Sequence, residues 1–257
     1  MTFYVKFISL EGEDIMQTTK KIEKEINRFR EGEVFTYDQL KLVPAEYRAA
    51  VKALGRMTQA GVIKRASTGR YYKPNRSVFG ELKPGEDQLL KPYLFQRGKR
   101  IAYVTGTSLY NKMGLTTQVS KNIKVASRDK RIITKVGSVA VKAVKSYVDV
   151  TDDNYFILEV LDAIKDFKGI PDLNREAALK RLQQKINEFN EDDKRKLIST
   201  SLKYPPRVRA LTGALLTSLD IDDKMIQPLA KSLNPLSSYN FGIKQQELST
   251  IKQWNIV

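Results

Sequence analysis

The chain has 257 residues, 41% of them hydrophobic, and carries a formal charge of +16 with neither cysteine nor histidine. Without cysteine there are no disulfides or thiol chemistry, and without histidine no imidazole metal ligands and no Ser/His or Cys/His catalysis within the chain. Residues 17–80 contribute +8 and residues 81–150 +9, against −2 from residues 1–16 and +1 from residues 151–257. A polyanion is therefore the expected partner rather than a membrane, since no apolar run approaches the roughly 20 residues of a membrane span.

In chain order, Met1–Asp14 (MTFYVKFISLEGED) opens with a short apolar run, read as an extension over residues 1–16 without assigned function. Thr18 to Arg30 reads as a helix with Ile22, Ile26 and Phe29 as its core stripe, and Lys20, Lys21, Lys24 and Arg28 turned to water or phosphate. Gly32 ends it, and Glu33-Val34-Phe35 is expected to pair as a short strand with a later hairpin. Thr36 with Gln39 forms a capping-box signal for a second, short helix. Leu42-Val43-Pro44 then makes a turn.

From Ala45 to Ala60, Tyr47, Ala50, Val51, Leu54 and Met57 recur at spacings of three and four, one apolar helix face that stops at Gly61. Arg48, Lys52 and Arg56, each four residues from the next, form a basic stripe on the other face, with small Ala49 and Ala53 beside it. Val62–Arg65 and Arg70–Lys73 flank Ser67-Thr68-Gly69 as strand, turn and strand. Alternation sends Tyr71 and Tyr72 to opposite faces, one to the core and one outward. A lone charged stripe is ordinarily a solvated helix face. With a basic hairpin beside it, the pattern describes a winged helix-turn-helix over residues 17–80. In that arrangement Arg48, Lys52 and Arg56 face the groove of duplex DNA, and Lys64, Arg65, Arg70 and Lys73 meet phosphates.

Phe79 to Gly85 marks a boundary by its Gly and Pro. The remainder, 81–257, reads as α+β to about 150 and mainly helical after that. Glu86–Gln96 is expected to be a helix that Pro92 kinks or ends. Arg100–Val104 is a buried strand, Thr107–Met113 a short helix closed by Gly114, and Asn122–Ser127, Arg131–Val136 and Ser138–Lys145 are strands, the last two joined at Gly137. Apolar spacing then gives helices around Phe156–Ile164, Ala177–Ile186, Leu197-Ile198 and, after Tyr204-Pro205-Pro206, Val208–Leu219. Beyond Pro228 the pattern weakens, although Leu248, Ile251 and Trp254 suit a terminal helix.

Three further stretches carry a resemblance. Gly98–Ser120 (GKRIAYVTGTSLYNKMGLTTQVS), Leu158–Asp172 (LEVLDAIKDFKGIPD) and Tyr204–Leu216 (YPPRVRALTGALL) resemble the AbiEi-like antitoxins of bacterial abortive-infection systems, as does the winged-helix start. The resemblance covers about residues 17 to 220. It implies a cytoplasmic phage-defence antitoxin whose winged helix binds inverted repeats upstream of its own operon and represses it. The rest would counter a nucleotidyltransferase-like toxin without requiring a stable complex with it.

Candidate chemistry is sparse. Asp152-Asp153, Asp192-Asp193 and Asp222-Asp223 each fall at the start of an expected helix, where carboxylates cap and complement the dipole. Glu159, Asp162 and Asp166 share a helix face and are positioned to ligate a cation. One straight helix rarely encloses a metal, however, and Lys165 competes for them, so a solvated face is the expected reading. Around Gly106 and Gly114 there is neither Gly-x-x-x-x-Gly-Lys-Ser/Thr nor Gly-x-Gly-x-x-Gly. No catalytic residue, metal or cofactor is therefore assigned. Lys121, Lys124, Arg128, Lys130 and Arg131 form a second basic cluster, read as added DNA surface, a docking face or a solvated loop. Two other function classes stay open: a nucleic-acid-modifying enzyme delivered by a winged helix, and a transcription regulator without a toxin.

Overall fold

The structure, a computed structural model, describes residues 17–77, 80–137 and 139–257. The expected extension over residues 1–16, Phe79 and Ser138 lie outside them. The chain is α+β with a helical C-terminal region, and it divides into one unit ending at Gly98 and another beginning at Lys99.

The first unit opens with a helix over residues 17–26 (α1). Strand β1 (Val34–Thr36) follows, then 3-10 turns at Tyr37–Leu40 and Pro44–Glu46, and helix α2 (Tyr47–Gln59). The expected short second helix is thus a single 3-10 turn. Its start is set as the sequence implies, with the Gln39 side chain accepting from the Thr36 N–H at 3.0 Å. Strands β2 (Lys64–Ser67) and β3 (Arg70–Tyr72) form the hairpin, and β1 adds antiparallel to β3, giving the order β1-β3-β2. Gly69 takes the turn with a φ of 69°. Ile22 and Ile26 of α1 pack on Ala50, Ala53, Leu54 and Met57 of α2, with Phe35 and Tyr71 from the sheet.

A second small hairpin, β4 (Asn75–Ser77) with β5 (Gly80–Leu82), and helix α3 (Glu86–Leu94) complete this unit. Pro92 sits in the last turn of α3, where it ends the helix within two residues. The first unit therefore reaches some 18 residues past the expected boundary at residue 80. Its added segment is tied back by charge: Lys91 pairs with Glu33 at 3.0 Å and Lys64 with Glu81. Tyr72 corrects the alternation argument. Both Tyr71 and Tyr72 are buried, because β3 is the central strand and Glu81 of the added hairpin accepts from the Tyr72 hydroxyl.

After the two-residue strands β6 (Phe95–Gln96) and β7 (Lys99–Arg100), the second unit is built on a four-stranded sheet of β8 (Ala102–Thr105), β9 (Asn122–Ser127), β10 (Thr134–Val136) and β11 (Val139–Lys145), in the order β10-β11-β9-β8. β8 and β9 are antiparallel, β9 and β11 parallel, and β10 returns to β11 through Gly137. The short helix α4 (Thr107–Lys112) connects β8 to β9. Helices α5 (Tyr155–Asp166), α6 (Arg175–Asn187), α7 (Glu191–Ser201), α8 (Pro206–Ser218) and α9 (Asp223–Lys231) follow. α5 and α8 bury more than half of their residues and form the centre of the core.

The Asp pairs resolve into two roles. Asp222 caps α9 by accepting from the Lys224 N–H, and Asp192 and Asp193 lie in the first turn of α7. Asp152 instead binds Arg100 at 2.8 Å, and Asn154 occupies the cap of α5. The expected terminal helix is a single 3-10 turn, Lys252–Trp254, yet Leu248, Ile251 and Trp254 are buried. Trp254 packs against Gly213 of α8, where an added Cβ would come within 2.2–2.4 Å of three indole carbons, and its Nε1 donates to the Thr217 hydroxyl at 2.9 Å.

Candidate nucleic-acid interface

Helix α2 is held from one side only. Ala50, Ala53, Leu54 and Met57 are buried, whereas Tyr47, Arg48, Val51, Lys52, Gly55, Arg56 and Gln59 are exposed. The basic stripe is where the sequence places it, on the open face. The core stripe is not: Tyr47 and Val51, expected inside, are 41% and 57% exposed, and Ala53 takes their place. Two overlapping three-and-four patterns exist in this helix, and side-chain size favoured the one with Val51. The small Ala50 and Ala53 win because they let the branched side chains of Ile22 and Ile26 approach closely.

Among the described residues, no carboxylate forms an ion pair with Arg48, Lys52 or Arg56; Arg56 donates to the Thr19 hydroxyl of α1 at 3.3 Å. Several other cations of this unit are neutralised, as in Lys21–Glu46 at 2.7 Å and Arg28–Glu25 at 2.8 Å. Lys21, expected to face water or phosphate, is half-buried and engaged by Glu46. The Lys21 ammonium and the Val43 N–H hold the Glu46 carboxyl below its usual range.

The hairpin cations divide. Lys64 and Arg65 are exposed on β2, although Lys64 is shared with Glu81. Arg70 and Lys73 are half-buried, and the Arg70 guanidinium stacks 3.9 Å from the Tyr93 ring centre. Arg48, Lys52, Arg56 and Arg65 are thus the exposed, carboxylate-free cations of the seven singled out by sequence. Beneath the helix start, the Tyr37 and Tyr71 hydroxyls meet at 3.2 Å, and burial with that hydrogen bond pushes Tyr37 up to about 12.

The second basic cluster is strung along β9: Lys121 precedes the strand, Lys124 lies within it, about 13 Å from Arg128 at 3.3 Å per residue, and Lys130 and Arg131 follow in the loop after it. Arg128 donates to the Ser146 and Tyr147 carbonyls at 3.2 and 3.0 Å. Lys124 is grouped instead with Lys142, its neighbour in the parallel β9–β11 register, and its stem crosses Gly106.

The carboxylates of α5 are not a solvated face. Asp162 is 2% exposed and accepts from Tyr103 (2.9 Å), Thr105 (2.6 Å) and Lys165 (2.9 Å), with the Tyr204 hydroxyl at 3.5 Å. Tyr110 donates to Asp166 at 2.6 Å. The competing role of Lys165 is therefore real, and it ties one carboxylate down. Burial resists its charge, but Asp162 and Asp166 outweigh that and raise its pKa. Burial and the same carboxylates raise Tyr103, Tyr110 and Tyr204 well above the ordinary tyrosine range. Glu159 is raised by burial, against the pull of Lys112, Arg100 and Lys185. Among the described residues no group of three or more acidic side chains is placed to hold a metal ion. The partners of Asp162 come from β8, α5 and the loop before α8, so the network joins sheet to helices. Sequence spacing showed the carboxylates but not the hydroxyls that meet them.

The protein is thus an α+β chain with an exposed cationic helix in its first unit and a helical C-terminal region. The model of a family of unknown function, DUF6088, matches residues 21–193, two thirds of the chain, and the chain belongs to that family. The matched range takes in the α2 face, the whole four-stranded sheet and the Asp162 partners up to α5. No curated protein matches. Among solved structures, the chain is similar to the crystal structure of the RV2827C protein from Mycobacterium tuberculosis, at 10% identity and a TM-score of 0.48, covering 81% of this chain and 80% of that one. No helix among the described residues is long and apolar enough to cross a membrane.

Proposed function

We propose that the first unit is a winged helix-turn-helix that lays α2 in the major groove of duplex DNA, with the β2–β3 hairpin against the backbone. The observation that carries this is the open face of α2, where Arg48, Lys52 and Arg56 stand exposed and, among the described residues, without a carboxylate partner. Cations left unneutralised on one helix face suit phosphates and base edges. Together with the resemblance to AbiEi-like antitoxins, this supports an autorepressor that binds inverted repeats upstream of its own operon in the cytoplasm. The second unit then serves to counter a nucleotidyltransferase-like toxin, without catalysis of its own and without requiring a stable complex.

The test is a salt titration of binding to the duplex upstream of its own gene beside a scrambled duplex. A preference for the native duplex that survives physiological salt supports a sequence-reading repressor; equal binding that fades in parallel leaves only a general polyanion grip. Within a positive result, Arg48→Ala is expected to relax sequence preference, at about 1–3 kcal/mol per lost base contact. Arg65→Ala is expected to weaken all duplexes alike and lower the salt slope by about one. Identical behaviour of the two variants would remove the assignment of α2 to the bases. A nucleotidyltransferase-like reading frame directly beside the gene distinguishes an antitoxin from a regulator without a toxin.

A further inference from the structure

The open face of α2 holds more than charge. Tyr47 and Val51, four residues apart on α2, are 41% and 57% exposed, and Val43, in extended backbone ahead of the helix, is 54% exposed. Tyr47 and Val51 form an apolar edge along the flank of Arg48 and Lys52, with Gly55 one turn further on and no described atom within 4 Å of where its Cβ would stand. Scattered exposed apolar side chains are ordinary, but two on one helix edge with a third at its entrance are a patch.

The stripe is also held in place. The Tyr47 ring lies 6.5 Å from that of Tyr37, which in turn meets Tyr71 edge-on at 6.0 Å and through the 3.2 Å hydroxyl contact. Val51, β-branched and helical, keeps essentially one rotamer. A rigid apolar edge beside cations on a helix start fits one occupant well. In the major groove thymine alone presents a methyl group, next to its O4 acceptor, between two rows of phosphates.

We propose that Tyr47 and Val51 read thymine methyl groups, so that the first unit selects duplexes by the placement of thymines as well as by the guanines and phosphates its cations reach. The inference rests on the DNA-binding reading above. A protein occupant would have to bring acidic groups to match Arg48, Lys52 and Arg56, whereas the duplex supplies methyls and negative charge together.

The experiment uses the full-length chain and the duplex upstream of its own gene, or failing preference there, duplexes enriched by the chain from a random pool. Each thymine in the footprint is replaced singly by uracil, which lacks only the methyl. At one or two positions the replacement should weaken binding about fourfold, the equivalent of one methyl left unburied. Val51→Ala and Tyr47→Ala should bind the thymine duplex more weakly and lose that sensitivity, each at its own position. Both residues are exposed, so both variants should fold, and an unchanged circular-dichroism melt checks it.

A wild-type chain indifferent to every uracil overturns the inference and leaves the DNA reading standing. So does equal uracil sensitivity in the variants. Should Val51→Ala instead change the sedimentation of the free chain and leave uracil sensitivity intact, the stripe joins copies of the protein and the inference falls. A chain that binds no duplex at all overturns the DNA reading and this inference with it.

Discussion

Two helical glycines show the difference between the halves of this molecule. Gly55 in α2 and Gly213 in α8 both sit mid-helix, where glycine costs roughly 0.5–1 kcal/mol relative to alanine. At Gly213 the missing side chain is replaced by the protein's own Trp254, carried there by the C-terminal tail. At Gly55 the described residues leave the space open. The second unit completes its own surface, and its small residue is a receptor for its own tail. The described residues of the first unit leave a helix face uncovered, with cations and apolar side chains along it, which is the physical sense in which it presents something to an outside partner.

The comparison is broken most directly at Trp254. Trp254→Ala removes a buried ring and its hydrogen bond to Thr217, and is expected to destabilise the second unit by about 3–5 kcal/mol, read by urea unfolding followed by circular dichroism. A loss below about 1 kcal/mol would mean the tail is not part of the fold's core.

Alkaline pH probes the same unit next. Tyr103, Tyr110 and Tyr204 have raised pKa values in the folded state, so their contribution is intact below the unfolded value near 10 and is lost as pH rises above it. Each is expected to cost about 1.4 kcal/mol at pH 11, or about 4 kcal/mol together. The fluorescence of Trp254, the chain's only tryptophan, reports it. Lys165, also raised, adds to the loss in the same direction above its own unfolded value near 10.5. Tyr37 in the first unit, raised to about 12, contributes only up to that pH. Stability flat from pH 8 to 11 would show that the Asp162 network is hydrated rather than sealed.

These two regions were unequally legible in the sequence. Periodicity placed the helix that became α5, the Gly137 hairpin and the basic hairpin, because each is a local pattern read over a few residues. It also placed Arg48, Lys52 and Arg56 on one open face. It failed wherever the answer depended on a distant neighbour. Val51 was assigned to the core because nothing local says that Ile22 and Ile26 need the small Ala53 instead. Asp162 was assigned to solvent because its hydroxyl partners lie 42 to 59 residues away. Alternation divides Tyr72 from Tyr71 because it takes no account of Glu81, its cover, which lies just past the expected boundary. Gly213 gave no sign in sequence that Trp254, 41 positions on, would fill its place.

Alanine at the two glycines sharpens the comparison, since the same substitution should act with opposite sign. Gly213→Ala pushes a methyl into the indole ring and is expected to cost about 1–3 kcal/mol, net of the better helix propensity. The cost should shrink when Trp254 is also truncated, because neighbours in contact are not additive. Gly55→Ala is the smallest effect and the most informative. It meets no described atom, so it should stabilise the first unit by about 0.5–1 kcal/mol. The added methyl nonetheless stands on the open face, one turn beyond Val51 and beside Lys52, Arg56 and Gln59. If α2 approaches base edges closely, Gly55→Ala should weaken binding to the preferred duplex severalfold while raising the melting temperature. Gain in both stability and binding, or stability alone, would show that the face lies away from the groove, and Gly55 would then be open for no reason connected with DNA.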